Sequence, residues 1–347
     1  MGAVGTLVFP IGTCRFVTEL GESGVAALVG PEEAPAIFKA RERTAERLEE
    51  KRVPLGELQL DEDASVVLMG SWGRSELTSE SDDDFMVLFN GDRRDDAAPS
   101  IDQVSEVFGQ GEAAPGPEGI FGKQVWLGDL KDHLGPIDTN ENLTRRMLLI
   151  LESVSGAGAE NHRRAQSALL SSYLGANAKE FQPPRYFLND AVRYWRTIAV
   201  DFEAKHRDRG GGGWGLRNAK LRFSRKALFA GGLFPLLRCS DLRADEMPDF
   251  LAAQFRDVPL DRLANAFVDR GLRDPGIRAL IAYNEFLEIL DNPEYRRTLK
   301  SLDAEHADDS ELFVHVRELG QAFQAALLSL LFDDEEMVKL VREFLVF

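Results

Sequence analysis

Three consecutive aspartates, Asp82-Asp83-Asp84, run directly into the apolar stretch Phe85–Phe89. A short apolar run of this kind reads as a buried strand, and in extended chain side chains two apart share a side. Asp82 and Asp84 are therefore expected to point together and Asp83 to point away. Neighbouring carboxylates repel each other and are costly to bury without a cation. Upstream, the Val-rich run Ser65–Met69 reads as a second buried strand and ends on Gly70-Ser71. A glycine there lets the backbone approach a phosphate, and the serine hydroxyl can donate to it. The segment thus sets an anion-binding turn beside a carboxylate pair that needs a cation. Two Mg²⁺ ions shared by Asp82, Asp84 and a triphosphate would balance those charges and clamp an in-line phosphoryl attack.

The rest of the 347-residue chain changes character near 135–142, at Gly135-Pro136 and the Asp/Thr/Asn cluster that follows. Before it, Ala34–Lys51 has a weak helical stripe, Gln110–Gly122 is a Gly/Pro-rich loop and Lys123–Leu127 is a third candidate strand. Residues 1–33 read as a short strand or loop. After it come segments of helical spacing: Leu143–Val154, His162–Leu174, Leu188–His206, Leu216–Gly231, Leu260–Val268, Ile277–Leu290 and Leu312–Leu331. The expected architecture is α+β, with a small mixed sheet in residues 1–138 and an all-α domain in 139–347. No apolar run reaches membrane-spanning length, no signal peptide is evident, and Cys14 and Cys239 are too few for a disulfide framework, so a cytoplasmic protein is expected. The histidines lack metal-ligand spacing.

Net charge is −17, which argues against a surface that coats nucleic acid. The segment from Arg193 to Lys226 is the exception, with ten Lys/Arg against three acids, a net of +7 that leaves −24 for the remainder. In its second helix Leu216, Ala219, Phe223, Ala227 and Ala230 form an apolar stripe, flanked by Arg217, Lys220 and Ser224, while Arg222, Arg225 and Lys226 lie further round. A basic flank beside a buried stripe is placed to face a cleft. Arg193, Arg196, Lys205, Arg217 and Lys220 are candidate phosphate contacts, with Ser224 beside them. Tyr194, Trp195 and Trp214 are candidates to stack on a base.

The segment Gly70-Ser71-Trp72-Gly73-Arg74-Ser75-Glu76-Leu77 with Ser81-Asp82-Asp83-Asp84 resembles the signature of the DNA polymerase β-like nucleotidyltransferase superfamily. It is most similar to the branch containing the bacterial nitrogen-signalling uridylyltransferases and their relatives. The resemblance covers roughly twenty residues, at several fixed positions. It implies Gly70 and Ser71 at the triphosphate of an NTP or dNTP, Asp82 and Asp84 on Mg²⁺ or Mn²⁺, and Arg74 and Glu76 supporting the loop, with Arg74 within reach of phosphate. It also implies a third carboxylate that helps activate the acceptor. Asp129, just past the third strand, is the first candidate for it, and Glu118 the second; capping the helix at Leu130 is the plainer role for Asp129. Helical domains in the superfamily supply cations to the triphosphate. The acceptor stays open: a nucleotide or nucleic acid, giving oligomers or signals such as relatives in bacterial antiviral defence make; a protein side chain; or a small molecule. A nucleotide-binding regulator without turnover is a further possibility.

Overall fold

The structure, a computed structural model, describes residues 24–109, 120–132, 134–135, 138–175, 178–208 and 212–346, with backbone alone for 205–208 and 346. Two strands follow directly from the apolar runs: β1 (Ala64–Met69) and β2 (Phe85–Phe89), every residue of both being buried. They pair antiparallel, with Val66 opposite Val87. β3 (Gln124–Trp126) lies parallel to β2, and β4 (Ser153–Ala157) antiparallel to β1. The order β3-β2-β1-β4 makes a four-stranded mixed sheet.

Alternation along the strands divides the core. Val66, Leu68, Phe85, Val87 and Phe89 face α1 (Pro35–Gly56) and α2 (Ile101–Phe108), through Leu48, Leu55 and Val104. Val67, Met69, Met86, Leu88 and Val125 join the larger core with α3 (Leu127–Asp132), α4 (Asn140–Leu151) and α5 (Ala159–Leu174). Ser100 caps α2 in a capping box with Gln103, and Thr139 caps α4, so the sequence marks both starts.

The remaining helices continue that larger core: α6 (Arg185–Asp208), α7 (Trp214–Lys220), α8 (Lys226–Arg238), α9 (Met247–Gln254), α10 (Pro259–Asp269), α11 (Arg273–Asp291), α12 (Pro293–Ser301), α13 (Glu311–Phe332) and α14 (Glu335–Val341). α7 and α8 are joined without a break by a π-helical turn, Leu221–Arg225. Phe223 on that turn stacks on Phe286 of α11 at 4.4 Å, which fixes the turn to the helical core. No helix among the described residues is long and apolar enough to cross a membrane.

The mixed α/β architecture agrees with the α+β expectation, but the sheet crosses the expected 138/139 division. β4 falls inside the stretch Leu143–Val154 that reads as one helix; the helix ends at Leu151 and the chain turns into an edge strand. Ser153–Ala157 has too few apolar residues to announce itself, because three of its five residues are only partly buried. Residues 1–23 and most of the Gln110–Gly122 loop, Glu118 included, lie outside the described residues. The described part of the N-terminal segment is a 3₁₀ turn at Gly24–Ala27.

Candidate active site

The turn after β1 is built by backbone bonds of helical type: Arg74 N–H donates to Gly70 O at 3.0 Å and Glu76 N–H to Ser71 O at 2.9 Å. Gly70 has φ +65°, and a Cβ on it would lie 2.7 Å from Asp84 Oδ2, so only glycine lets that carboxylate rest over the turn. Gly73 sits against the next element: its Cβ would come within 1.9 Å of the Glu152 carbonyl oxygen, at the end of α4.

The three aspartates divide as alternation requires. Asp83 is buried, accepting from Trp72 Nε1 at 3.1 Å and pairing with Arg47 at 3.4 Å. Burial pushes its carboxyl up, and Arg47 and Trp72 pull the other way. Asp82 and Asp84 instead line a common cavity with Gly70 and Ser71. Among the described residues, none donates a hydrogen bond to either carboxylate. Burial, and then the charge of Asp82, push the Asp84 carboxyl up to about 6, with Arg225 and Lys220 opposing. Asp83 thus tacks β2 to the turn while its neighbours face the opening. Trp72→Phe, which removes that buried carboxylate's indole donor, is expected to cost about 1–3 kcal/mol in urea unfolding.

The opposite wall comes from the helices. Lys220 reaches the cavity from the end of α7, Ser224 and Arg225 from the π-helical turn that follows it, and Leu287, Leu290 and Arg296 from α11 and α12. In a regular helix, at about 100° per residue, Lys220 and Arg225 would diverge by about 140°. A π turn closes i to i+5 and stacks them on one face. Burial pushes the Lys220 ammonium down to about 8, with Arg296 adding to the shift and Asp82 opposing it. Arg296 also donates to Glu80 O at 2.5 Å, tying α12 to the loop between the Gly-Ser turn and the aspartates. Asp291 of α11 holds the same loop, accepting from Ser79 N–H at 3.0 Å, and pairs with Arg43 of α1.

Beneath the cavity lies a buried ionic group. Arg74 pairs with Glu76 at 2.9 Å and with Glu152 at 2.6 Å. The other Glu76 oxygen accepts from Tyr283 at 2.5 Å, and the other Glu152 oxygen pairs with Arg225 at 3.2 Å. Both glutamates are thereby spent on protein donors, which leaves Asp82 and Asp84 as the carboxylates that face the cavity free of such bonds. The cavity has a volume of about 90 Å³, enough for a phosphate group.

Of the residues singled out in the sequence, the structure gathers Gly70, Ser71, Arg74, Asp82, Asp84, Lys220 and Ser224 here. Asp129 is elsewhere: it lies in the first turn of α3, paired with Arg93 at 2.5 Å. The reason is strand direction. β3 runs parallel to β2, so a residue following β3 lies beyond the Phe89 end of the sheet, whereas the cavity lies at the Asp84 end. Arg193 pairs with Asp138 at 3.2 Å, beside a buried cluster of Arg146, Asp190 and Tyr173. Arg196 is exposed on α6, and Arg217 binds Gly212 O at 2.7 Å; neither lines the cavity. The side chain of Lys205 lies outside the described residues. The candidate stacking aromatics are engaged by the protein itself and do not line the cavity: Tyr194 is buried, half-buried Trp195 stacks on Phe229 and half-buried Trp214 packs on Phe313. Arg225, Arg296 and Glu152 were not legible as site residues. The signal for Arg225 would have been the π turn, and the other two come from distant segments.

Among the described residues there is no group of three or more His, Cys, Asp or Glu that could hold a metal by itself. The Asp82/Asp84 pair nonetheless fits a hard divalent cation. Two oxygen ligands converge without protein donors beside a turn suited to phosphate, and Mg²⁺ commonly takes one or two carboxylates and completes its shell with phosphates and water. No protein-family model matches the chain, and no curated protein matches it.

Proposed function

We propose that the chain is a metal-dependent nucleotidyltransferase of the polymerase β-like kind, with its nucleotidyltransferase unit built on the four-stranded sheet and the helices as the opposite wall of the cleft. It would move a nucleoside monophosphate from an NTP or dNTP to an acceptor. The acceptor oxygen bonds to the α-phosphorus, the bond from that phosphorus to the bridging oxygen breaks, and pyrophosphate leaves. One observation carries this reading: a carboxylate pair without protein donors and a Gly-Ser turn share one cavity with Lys220, Arg225 and Arg296. That is the charge arrangement a metal-bound polyphosphate requires.

In this reading Asp82 and Asp84 hold Mg²⁺, two ions being the expectation from the resemblance. Bound metal would neutralise phosphate charge and favour an ionised acceptor hydroxyl. Gly70 and Ser71 offer the turn to the terminal phosphates. Lys220 and Arg296 balance charge from the helical side, and Arg225 adds to it while paired to Glu152. The cavity admits phosphate, so sugar and base extend out of it. Catalysis rests on positioning and electrostatics. Lys220→Met is expected to weaken NTP binding roughly 10- to 100-fold by calorimetry, the loss of a charge-assisted phosphate contact.

The favoured acceptor is a nucleotide or nucleic acid, giving an oligonucleotide or a signal of the kind used in antiviral defence; transfer of AMP or UMP to a protein is the alternative. Incubation with each labelled NTP and dNTP, with Mg²⁺ or Mn²⁺, separates these by product size. Label in oligomers, cyclic species or protein that disappears in Asp82→Ala/Asp84→Ala supports transfer and names the acceptor. A second reading, a nucleotide-binding regulator without turnover, is favoured by the lack, among the described residues, of a third cavity carboxylate free of protein donors, since Glu76 is held by Arg74 and Tyr283. Metal-dependent binding with no pyrophosphate release would select it.

A further inference from the structure

Glu152 lies at the end of α4, just before β4, and is fully buried. No sequence motif marks it, yet three parts of the cleft converge on it. Its two carboxylate oxygens take Arg74 from the turn after β1, at 2.6 Å, and Arg225 from the π-helical turn, at 3.2 Å. Its backbone is packed against Gly73 so closely that a Cβ there would lie 1.9 Å from its carbonyl oxygen. Arg262 of α10 binds the preceding carbonyl, Leu151 O, at 2.5 Å and so holds the chain at that point.

Arg74 keeps a second partner, Glu76, if Glu152 is lost. Arg225 does not: Glu152 is its one ion-pair partner among the described residues, with Asp84 attracting it only at longer range. A long arginine side chain samples many rotamers in solvent, and its single ion pair to Glu152, at 3.2 Å, restricts that freedom in advance of binding. Arg225 is 30% exposed, so without that partner its guanidinium is free to swing into solvent.

We propose that Glu152 is a positioning residue that aims Arg225, and with it the π-helical wall, at the phosphate-binding cavity. The inference rests on the polyphosphate reading of that cavity. Glu152 contacts no substrate in this account; it acts through Arg225. Because its own charge is negative, two opposite effects on anion binding are conceivable, and their signs separate them. A positioning role predicts that neutralising Glu152 weakens binding; a merely repulsive charge predicts that it tightens binding.

The test is calorimetric binding of inorganic tripolyphosphate with Mg²⁺ to the full chain, in a double-mutant cycle of Glu152→Gln and Arg225→Gln. The expected result is binding about tenfold weaker in Glu152→Gln, with little further change when Glu152→Gln is added to Arg225→Gln, as coupled residues behave. Tighter binding in Glu152→Gln, or an equal loss in both backgrounds, overturns the proposal while leaving the cavity's function intact. A wild-type chain that does not bind the probe overturns the polyphosphate reading itself and the proposal with it. Should Glu152→Gln fail to fold, Glu152→Asp carries the question, because it keeps the charge and shortens the reach to Arg225. Weaker binding in Glu152→Asp that is absent from the Arg225→Gln background supports the positioning role, and unchanged binding contradicts it.

Discussion

Asp84→Asn is expected to lower nucleotide transfer by roughly a hundred- to a thousandfold, the scale seen when a group that stabilises transition-state charge is removed, while making the fold more stable. The two effects have one origin. The folded Asp84 carboxyl titrates at about 6 against 3.8 for the ordinary group, chiefly because of burial and the adjacent Asp82. Below about pH 4 both folded and unfolded chains hold the proton, and burial of the charge costs nothing. Between about 4 and 6 the folded state keeps a proton that the unfolded state has released. Above 6 both are ionised, and the folded state bears the whole penalty, on the order of 3 kcal/mol. Asparagine removes that penalty. Thermal unfolding should therefore show the variant more stable than the parent at pH 7–8, with the difference closing as pH falls through 6 towards 4. A cation at this site removes the same penalty, so Mg²⁺ should raise the melting temperature of the parent and not of the variant.

Arg74→Ala is expected to act in the opposite sense on stability. Arg74 is buried between Glu76 and Glu152, which are themselves 5% and 0% exposed. Those charges raise its guanidinium pKa well above the ordinary value despite burial. Truncation leaves two buried carboxylates short of their cation, and losing one partner of a buried pair costs about 3–5 kcal/mol. Urea denaturation should show a midpoint shift of that size with an unchanged slope. Arg74→Met restores the lost volume and not the charge, so it should recover only a small part of the loss. Recovery close to the parent would mean that packing around the side chain, rather than the ion pairs, holds the turn in place.

What the sequence disclosed and what it withheld follow from one distinction: local patterns are legible, and meetings between distant segments are not. β1, β2 and the intervening turn could be read because their signals are local, namely apolar runs, a Gly-Ser pair at the end of the first run and alternation that sends Asp83 inward and its neighbours outward. Lys220 and Ser224 could be read because their spacing of four suits any helix. Arg225 was set aside on the same geometry, and only the π turn returns it to that face. Asp129 misled because proximity to a strand says nothing about strand direction; a parallel β3 carries it to the wrong end of the sheet. β4 hid at the end of an apolar helix because an edge strand buried on one side needs few apolar residues. Glu152 and Arg296 meet the cavity only through tertiary packing, to which no window of sequence is sensitive.

The central claim is that Asp82 and Asp84 hold metal for a nucleotide whose phosphates lie against Gly70 and Ser71. A crystal structure of the chain with Mn²⁺ and a non-hydrolysable NTP tests it most directly, since manganese is located by its anomalous signal. The account predicts manganese on the Asp82 and Asp84 carboxylates, with the phosphate chain between the Gly70-Ser71 turn and Lys220. Manganese and nucleotide bound elsewhere, with the Asp82/Asp84 pair bare, would contradict it.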